Sequence, residues 1–195
     1  FLNSKLDDNY CILELGASAP NEIKILSKIF KPDMAIITNI SKAHIGNFKS
    51  FNSLIKTKNQ IFNDIQNNGN IFINDDDQNI QIANIEKNKS LHASCFNKYS
   101  YAFNGNKKTI YKGKIIHEKG ETRLTINIKN NQSSSIIIPE NIKHLESIIL
   151  AAYSISNILG INNKNFQHAL ESFELPKGRG QIIKYNKCKI IDDTY

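Results

Sequence analysis

Residues 34–48 read MAIITNISKAHIGNF, an apolar run that ends in a polar stretch containing Asn39 and His44. The run MAIIT (34–38) is short, rich in β-branched residues and entered through Pro32, which predicts a buried strand. Hydrophobic packing gives no reason for a histidine just past such a strand. Open α/β sheets bind their ligands at the carboxyl ends of the strands. The stretch therefore predicts a functional site after the strand.

The segments around this strand alternate between strand-like and helix-like patterns. Further buried strands are predicted at YCILEL (10–15), NIFIN (70–74) and KCKIIDDTY (187–195), and helices at 21–30, 51–66, 142–159 and 163–173. This alternation predicts an α/β fold, with a mostly parallel, doubly wound sheet flanked by helices. Residues 95–138 instead consist of β-rich runs separated by Gly and Asn turns, which predicts a small antiparallel sheet.

The composition narrows the class of protein. With 40% apolar and 22% charged residues among 195, the chain has the balance of a globular protein. No apolar run reaches the roughly 18 residues of a transmembrane helix, and the start, FLNSKLDDNY, has neither an initiator Met nor a signal-peptide pattern. The chain is therefore expected to be an excerpt of a longer protein.

The charge pattern argues against a nucleic-acid-binding protein, and the cysteine spacing argues against a cysteine metal site. The net charge is +7, but the lysines are scattered and the arginines are Arg123 and Arg179 alone, so nucleic-acid binding is not expected. Cys11, Cys95 and Cys188 lie far apart, without metal-site spacing. The first and last lie in apolar runs and are predicted to be buried thiols, which fits a reducing cytoplasm.

Two residues at predicted strand ends could carry chemistry. Glu14, in ELGAS (14–18), is a carboxylate that could bind Mg²⁺, or it could simply cap a helix or lie on the surface. His44 could ligate a metal or contact a phosphate, or it could be an exposed loop histidine. Because the two strands are expected to be neighbours, both side chains could converge on one site.

Lys58 and the C-terminal stretches at 178–181 and 192–193 also have both a functional and an ordinary structural interpretation. Lys58 is predicted to lie early in its helix, where a solvated lysine is the ordinary interpretation. In GRGQ (178–181) the arginine between glycines suits a phosphate or ribose contact, but a simple turn has the same composition. Asp192 and Asp193 either belong to that site or cap a following element.

Together these motifs resemble the Mur ligase family. The matching stretches are ELGAS (14–18), KPDMAIITNISKAHIGNFKS (31–50), KTKNQIF (56–62), IFINDDD (71–77), LPKGRGQ (175–181) and IIDDTY (190–195). The resemblance covers most of the chain and is weakest across 85–140. It implies a central ATP-binding domain of the P-loop type over 1–191, with an antiparallel insertion at about 95–138. Residues 192–195 would then begin a linker to a C-terminal domain.

The resemblance also implies roles for single residues. Glu14 matches the family's Mg²⁺-binding glutamate, and His44 matches the histidine that helps to hold a second Mg²⁺. Lys58 matches the lysine that becomes carbamylated, which turns a cation into an anion that a metal site can use. These three would form the catalytic and metal site.

The nucleotide contacts implied by the resemblance lie elsewhere in the chain. Arg179 matches the arginine near the nucleotide, and Asp192 or Asp193 matches the aspartate near the ribose. His144 matches the histidine near the adenine. Asn39, directly after its strand, is assigned to the same cofactor-binding set.

The activity implied is ATP-dependent amide-bond formation in peptidoglycan precursor synthesis. ATP would phosphorylate the terminal carboxylate of UDP-N-acetylmuramoyl-tripeptide, and the amine of D-alanyl-D-alanine would displace phosphate from the acyl phosphate. Mg²⁺ would screen the phosphate charges. A cytoplasmic monomer that binds small molecules, and neither nucleic acid nor membrane, is expected.

The sequence departs from the family pattern in two respects. The Gly-rich phosphate loop ending in Gly-Lys-Thr/Ser is missing and is expected upstream of residue 1, so this chain alone is expected to be inactive. Leu145 and Ile148 replace the asparagines expected near the adenine. The alternatives are therefore another Mur-type or folylpolyglutamate synthetase-like ligase, or a non-catalytic binding protein on the same scaffold.

Overall fold

A computed structural model describes residues 7–42, 45–80, 96–186 and 188–194. The helices are α1 (Glu22–Phe30), α2 (Phe51–Asn59), α3 (Glu146–Ile158) and α4 (Asn163–Glu171), with 3₁₀ turns at Ile45–Asn47, Gln60–Asp64 and Glu140–Leu145. The strands are β1 (Met34–Ile37), β2 (Asn70–Asn74), β3 (Asn97–Ala102), β4 (Tyr111–Glu118), β5 (Glu121–Ile128), β6 (Gln132–Ile138), β7 (Gln181–Tyr185) and β8 (Cys188–Asp192). No helix in these ranges is long and apolar enough to cross a membrane.

The first six strands form one sheet in the order β1-β2-β3-β4-β5-β6. Strands β1 to β4 pair in parallel, and β4 to β6 pair antiparallel. In the β1–β2 pair Ile37 lies opposite Ile73, so the two strands end at the same edge of the sheet. The predicted α/β fold, with helices flanking a mostly parallel sheet, is confirmed.

Most predicted elements occur where the apolar spacing placed them. The predicted helix at 21–30 is α1, and the one at 51–66 is α2 followed by the turn Gln60–Asp64. The predicted strands at 34–38 and 70–74 are β1 and β2. The antiparallel hairpin of β7 and β8 contains the predicted last strand, but its first strand was not predicted.

The antiparallel region differs from the expectation for 95–138. Strand β3 pairs in parallel with β2 from Asn70↔Asn97 to Asn74↔Tyr101, so it belongs to the parallel part. Strands β4 to β6 then continue the same sheet. Alternating apolar residues predict a strand but not its direction. The long connection between β2 and β3 is what a parallel crossover requires.

The predicted strand at 10–15 is wrong. These residues have no regular structure, and Ile12 is 95% exposed. An apolar run becomes a strand only when a neighbouring strand supplies hydrogen-bond partners, and no described strand pairs with 10–15. The prediction of buried thiols is also wrong for Cys11, in this segment, and for Cys188, in the two-stranded hairpin, because both are exposed. Cys95 lies outside the described residues.

Two apolar clusters hold the sheet between its helices. One joins β1 and β2 to α2 and the following turn, through residues that include Ala35, Ile55, Phe62 and Ile71. The other joins β3 to β6 with α3 and α4, through residues that include Tyr101, Leu124, Leu150 and Phe166. Burial of these side chains is the main stabilising contribution to the fold.

The buried tyrosines of the cluster that joins β3 to β6 with α3 and α4 differ in how their hydroxyl groups are satisfied. The Tyr153 hydroxyl lies 2.7 Å from Ser134 Oγ and 3.0 Å from Asn163 Oδ1, and the Tyr111 hydroxyl donates to Asn157 Oδ1 at 2.9 Å. The Tyr101 hydroxyl is buried without a partner among the described residues. A buried polar group without a partner costs stability, so Tyr101 is a weak point of this core.

We expect Tyr101→Phe to leave the free energy of unfolding unchanged or slightly raised, because it removes an unsatisfied hydroxyl. Tyr153→Phe is the matched control, and it should lower that free energy by about 1 kcal/mol because it removes satisfied hydrogen bonds. Urea denaturation of both variants measures the difference. A loss for Tyr101→Phe equal to that for Tyr153→Phe would show that the Tyr101 hydroxyl has a partner.

The same tyrosines make the fold sensitive to alkali. Burial raises the pKa of Tyr111 from its ordinary value of 10.0 to about 12. Burial, followed by the nearby Asp77 and Asp76 carboxylates, raises the pKa of Tyr101 as well. The unfolded chain therefore loses these protons first, so stability is complete below pH 10 and falls as the pH rises through the folded-state values.

Removing the Tyr101 hydroxyl should therefore reduce the loss of stability at pH values above 10.0, the ordinary pKa of tyrosine. We expect Tyr101→Phe to retain more of its neutral-pH free energy of unfolding than the wild type at about pH 11. Urea denaturation at the two pH values measures this. Equal alkaline losses in variant and wild type would contradict the burial of this group.

Candidate active site

A polar cleft of about 530 Å³ lies at the carboxyl ends of β1 and β2. It is lined by Asn39, Asn74, Asp76, Asp77, Gln78 and Asn79. Asn39 follows β1, and the other lining residues come from the end of β2 and the turn that follows it. This is the edge at which parallel α/β sheets bind ligands. Asn39, which the sequence analysis assigned to cofactor binding, therefore lines a polar cleft at this edge, and its contact with a ligand stays a prediction.

The turn after β2 holds the backbone on both sides of Asn39. Asn74 Nδ2 donates to the Thr38 carbonyl oxygen at 2.9 Å. The Ile40 N–H donates to Asp77 Oδ2 at 2.6 Å, and Asn79 Nδ2 donates to the Ile40 carbonyl oxygen at 3.3 Å. The Ile40 side chain is buried in the cluster beneath. The loop after β1 is thus fixed in place while Asn39 remains exposed.

The neighbouring aspartates hold the loop after β3 in the same way. Asp76 accepts the N–H groups of Phe103 and Asn104 at 2.7 and 2.9 Å. Asp75 Oδ2 accepts the Thr109 hydroxyl at 2.6 Å. Three consecutive aspartates would suggest a metal site, but here their oxygens accept protein hydrogen bonds. Within the described residues, no group of three His, Cys, Asp or Glu side chains could hold a metal ion.

The end of β2 and the turn after it supply Asn74 and residues 76–79 to the cleft, and this is the part of the site that the sequence analysis did not predict. The run Asn-Asp-Asp-Asp, which begins at the last residue of a predicted strand, was its signal, because short polar side chains at strand ends commonly bind backbone groups of adjacent loops. The sequence does not show which loop each carboxylate would meet.

Lys58 lies in the last turn of α2 and is half-buried, so the expectation that it lies early in its helix is wrong. The helix ends before the apolar residues of 60–66 and continues as a 3₁₀ turn. The next residue connects this helix end to the cleft, because Asn59 Nδ2 donates to the Asn79 carbonyl oxygen at 2.9 Å. Lys58 is therefore one residue from a direct link to the cleft wall.

Of the other two residues of the predicted metal site, the structure describes Glu14 alone. Glu14 is exposed in the irregular segment 11–17 and belongs to no metal-binding group among the described residues. His44 lies outside the described residues.

A second group of predicted residues does converge, where the β7–β8 hairpin meets the 3₁₀ turn at 140–145. Gly180 has a φ of +78° and faces His144, and a Cβ placed on Gly180 would lie 3.6 Å from His144 Nε2. The Gly180 N–H donates to the Asp192 carbonyl oxygen at 2.8 Å. Arg179 precedes Gly180 and Asp193 follows β8, both exposed. The predicted nucleotide residues from 144, 179 and 192–193 therefore share one neighbourhood.

The sequence matches the family model described as the Mur ligase middle domain over residues 2–161. The chain belongs to the Mur ligase middle domain family. Solved structures agree with this assignment. MurF from Acinetobacter baumannii superposes with a TM-score of 0.80 and 25% identity, covering 100% of this chain and 41% of that one. MurF ligase from Thermotoga maritima in complex with ADP shares the fold, with a TM-score of 0.66, 22% identity and coverage of 92% and 39%.

Two curated relatives of this Mur ligase chain carry the same description, UDP-N-acetylmuramoyl-tripeptide–D-alanyl-D-alanine ligase. The protein of Buchnera aphidicola subsp. Baizongia pistaciae (strain Bp) is 33% identical over 201 residues, covering 100% of this chain. That of Rickettsia prowazekii (strain Madrid E) is 31% identical over 190 residues, covering 97%. The chain spans 41% of the length of each relative.

The contact between Gly180 and His144 yields a prediction in this Mur ligase domain. Gly180→Ala should destabilise the fold by about 1 kcal/mol, because a side chain is strained at positive φ. Gly120→Ala is the matched control, since Gly120 has a φ of +81° and a Cβ there would meet nothing within 4 Å. Both variants should lose similar stability in urea denaturation, but only Gly180→Ala should shift the His144 ring signals in NMR spectra. Unshifted ring signals would contradict the contact.

Proposed function

We propose that the chain is the ATP-binding part of a ligase that adds D-alanyl-D-alanine to UDP-N-acetylmuramoyl-tripeptide during peptidoglycan precursor synthesis. The observation that carries this proposal is the similarity of the whole chain to relatives described as that ligase. The family assignment supports it independently. Residues 1–191 would form the central domain, and 192–195 would begin the linker that follows it.

Two groups of residues have side chains that suit a nucleotide: those at the base of the β7–β8 hairpin, and Asn39 in the polar cleft. An exposed arginine, a histidine ring and a carboxylate at the base of the β7–β8 hairpin can contact phosphate, base and ribose respectively. We assign Arg179, His144 and Asp192 or Asp193 to these contacts. The amide of Asn39 projects into a polar cleft at the sheet edge where phosphates bind in related architectures. The solved Thermotoga maritima relative was obtained with ADP, which supports a nucleotide site on this fold.

ATP would supply a phosphoryl group that converts the tripeptide carboxylate into an acyl phosphate, releasing ADP. The amine of D-alanyl-D-alanine then forms the amide bond as the bond to phosphate breaks. The chain's own contribution is to hold the reacting groups in a fixed geometry at the carboxyl edge of the sheet, since positioning dominates catalysis of this kind.

For Mg²⁺ we propose Glu14, His44 and a carbamylated Lys58 as ligands. The carboxylate and carbamate oxygens have the chemistry that this ion prefers. The described residues do not assemble such a site by themselves, because Glu14 is separate from any group of metal-binding side chains. We therefore derive no step of the reaction through the metal.

One observation favours a different function, that of a non-catalytic binding protein. Leu145 and Ile148 occupy the positions at which adenine-binding asparagines were expected. Leu145 packs against the apolar cluster under α3, whereas Ile148 is 44% exposed. Neither side chain can replace the hydrogen bonds of an amide. In this alternative the fold is retained and nucleotide binding is lost.

The test is a phosphate-release assay on the full-length protein with ATP and both proposed substrates. Release should require both substrates and fall by about 100-fold in Lys58→Ala, because the carbamate is lost. Lys56→Ala is the matched control, since Lys56 lies in the same last turn of α2 but is exposed. A small added carboxylate should restore part of the activity of Lys58→Ala only.

No phosphate release by a folded wild-type protein would favour the binding-protein alternative. Release that is equally reduced in both lysine variants would show that Lys58 acts only through the stability of the helix.

A further inference from the structure

We propose that Asp77 is a positioning residue that fixes Asn39 for contact with the nucleotide phosphates. This inference rests on the proposed function, because it assumes that Asn39 contacts ATP. It adds a residue outside the predicted site, and that residue acts through the backbone of the loop after β1.

Asn39 is held on both sides by groups that do not touch its side chain. The carbonyl oxygen of Thr38 accepts from Asn74, and the N–H of Ile40 donates to Asp77. The amide of Asn39 itself has no hydrogen-bond partner in the described part of the chain, and it lines the cleft. A polar side chain that is exposed, unpaired and mounted on a fixed backbone is arranged for a ligand.

Asp77 is the centre of this arrangement because both of its carboxylate oxygens are used. Oδ2 accepts the Ile40 N–H at 2.6 Å and Oδ1 accepts the Asn79 N–H at 2.9 Å. Asn79 then donates back to the Ile40 carbonyl oxygen, which closes a ring of hydrogen bonds around Ile40. Hydrogen bonds to an ionised carboxylate are about twice as strong as neutral ones, so this ring depends on the charge of Asp77.

The ring is also hydrogen-bonded to the end of α2, next to Lys58. The Asn79 carbonyl oxygen accepts from Asn59 Nδ2, and Asn59 follows Lys58 at the end of α2. The turn that fixes Asn39 is therefore also hydrogen-bonded to the helix end that carries Lys58, but through the Asn79 carbonyl group and not through Asp77.

The chain offers a closely matched control for the charge of Asp77. Asp75, two residues earlier, accepts the Thr109 hydroxyl and makes no hydrogen bond to the described residues of the loop after β1. In Asp75→Asn the amide oxygen can still accept that hydroxyl. In Asp77→Asn one of two N–H donors loses its acceptor, since the amide nitrogen cannot accept. The variants remove the same charge but differ in their effect on Ile40.

The experiment uses the full-length protein and the Mg²⁺ complex of a non-hydrolysable ATP analogue. Calorimetric titration should give about 10-fold weaker binding for Asp77→Asn and for Asn39→Ala, and a change of less than about twofold for Asp75→Asn. The double variant should bind no more weakly than Asn39→Ala, because Asp77 acts through Asn39. Without nucleotide, the Ile40 amide should exchange its hydrogen faster in Asp77→Asn than in Asp75→Asn.

Asn79→Ala is a second, milder variant in case Asp77→Asn fails to fold, since it removes one bond of the ring and keeps the carboxylate. It should also weaken binding and speed exchange at Ile40. Binding by Asp77→Asn equal to that of Asp75→Asn, or additive effects in the double variant, would overturn the positioning role while leaving the proposed function intact. A folded wild-type protein that binds no analogue would overturn both.

Discussion

The parallel pairing of β1 with β2 is the constraint on which the rest of the structure depends. Because Ile37 lies opposite Ile73, both strands end at the same level, and the polar residues that follow them are forced together. An antiparallel arrangement would have sent Asn39 and the turn 74–79 to opposite edges. The cleft is thus a consequence of strand direction, and its polar lining is a consequence of where two short apolar runs stop.

The three aspartates after β2 show how charge is used at this edge. Their carboxylates accept backbone N–H groups and a hydroxyl from the loops after β1 and β3, which would otherwise need water as a partner. The negative charge strengthens these bonds and rigidifies the walls of the cleft. A cleft whose walls are already fixed binds its ligand with less loss of conformational entropy.

The sequence predicted the parts of the fold that depend on local periodicity. Helix α1 and strands β1 and β2 follow from the spacing of their apolar residues. The segment at 10–15 has the same pattern as a strand, but whether it pairs depends on a partner that the pattern cannot specify. The direction of β3 was not predicted for a related reason. A parallel and an antiparallel strand can have the same alternation of apolar and polar residues.

The candidate site was predictable in outline and less so in detail. Asn39 was assigned from its position after a strand, and the grouping of His144, Arg179 and Asp192 or Asp193 was implied by the family resemblance. The role of Asp77 depends on which loop its carboxylate meets, and only the tertiary structure determines this. Lys58 was placed at the wrong part of its helix because the 3₁₀ turn after α2 continues the same apolar spacing.

The most direct test of the account is a crystal structure of the full-length protein with Mg²⁺ and a non-hydrolysable ATP analogue. We expect a phosphate oxygen within about 3 Å of Asn39 Nδ2. We also expect the ribose beside Asp192 or Asp193, and carbamate density on Lys58 Nζ. A nucleotide bound away from both the cleft and the base of the β7–β8 hairpin would contradict the account.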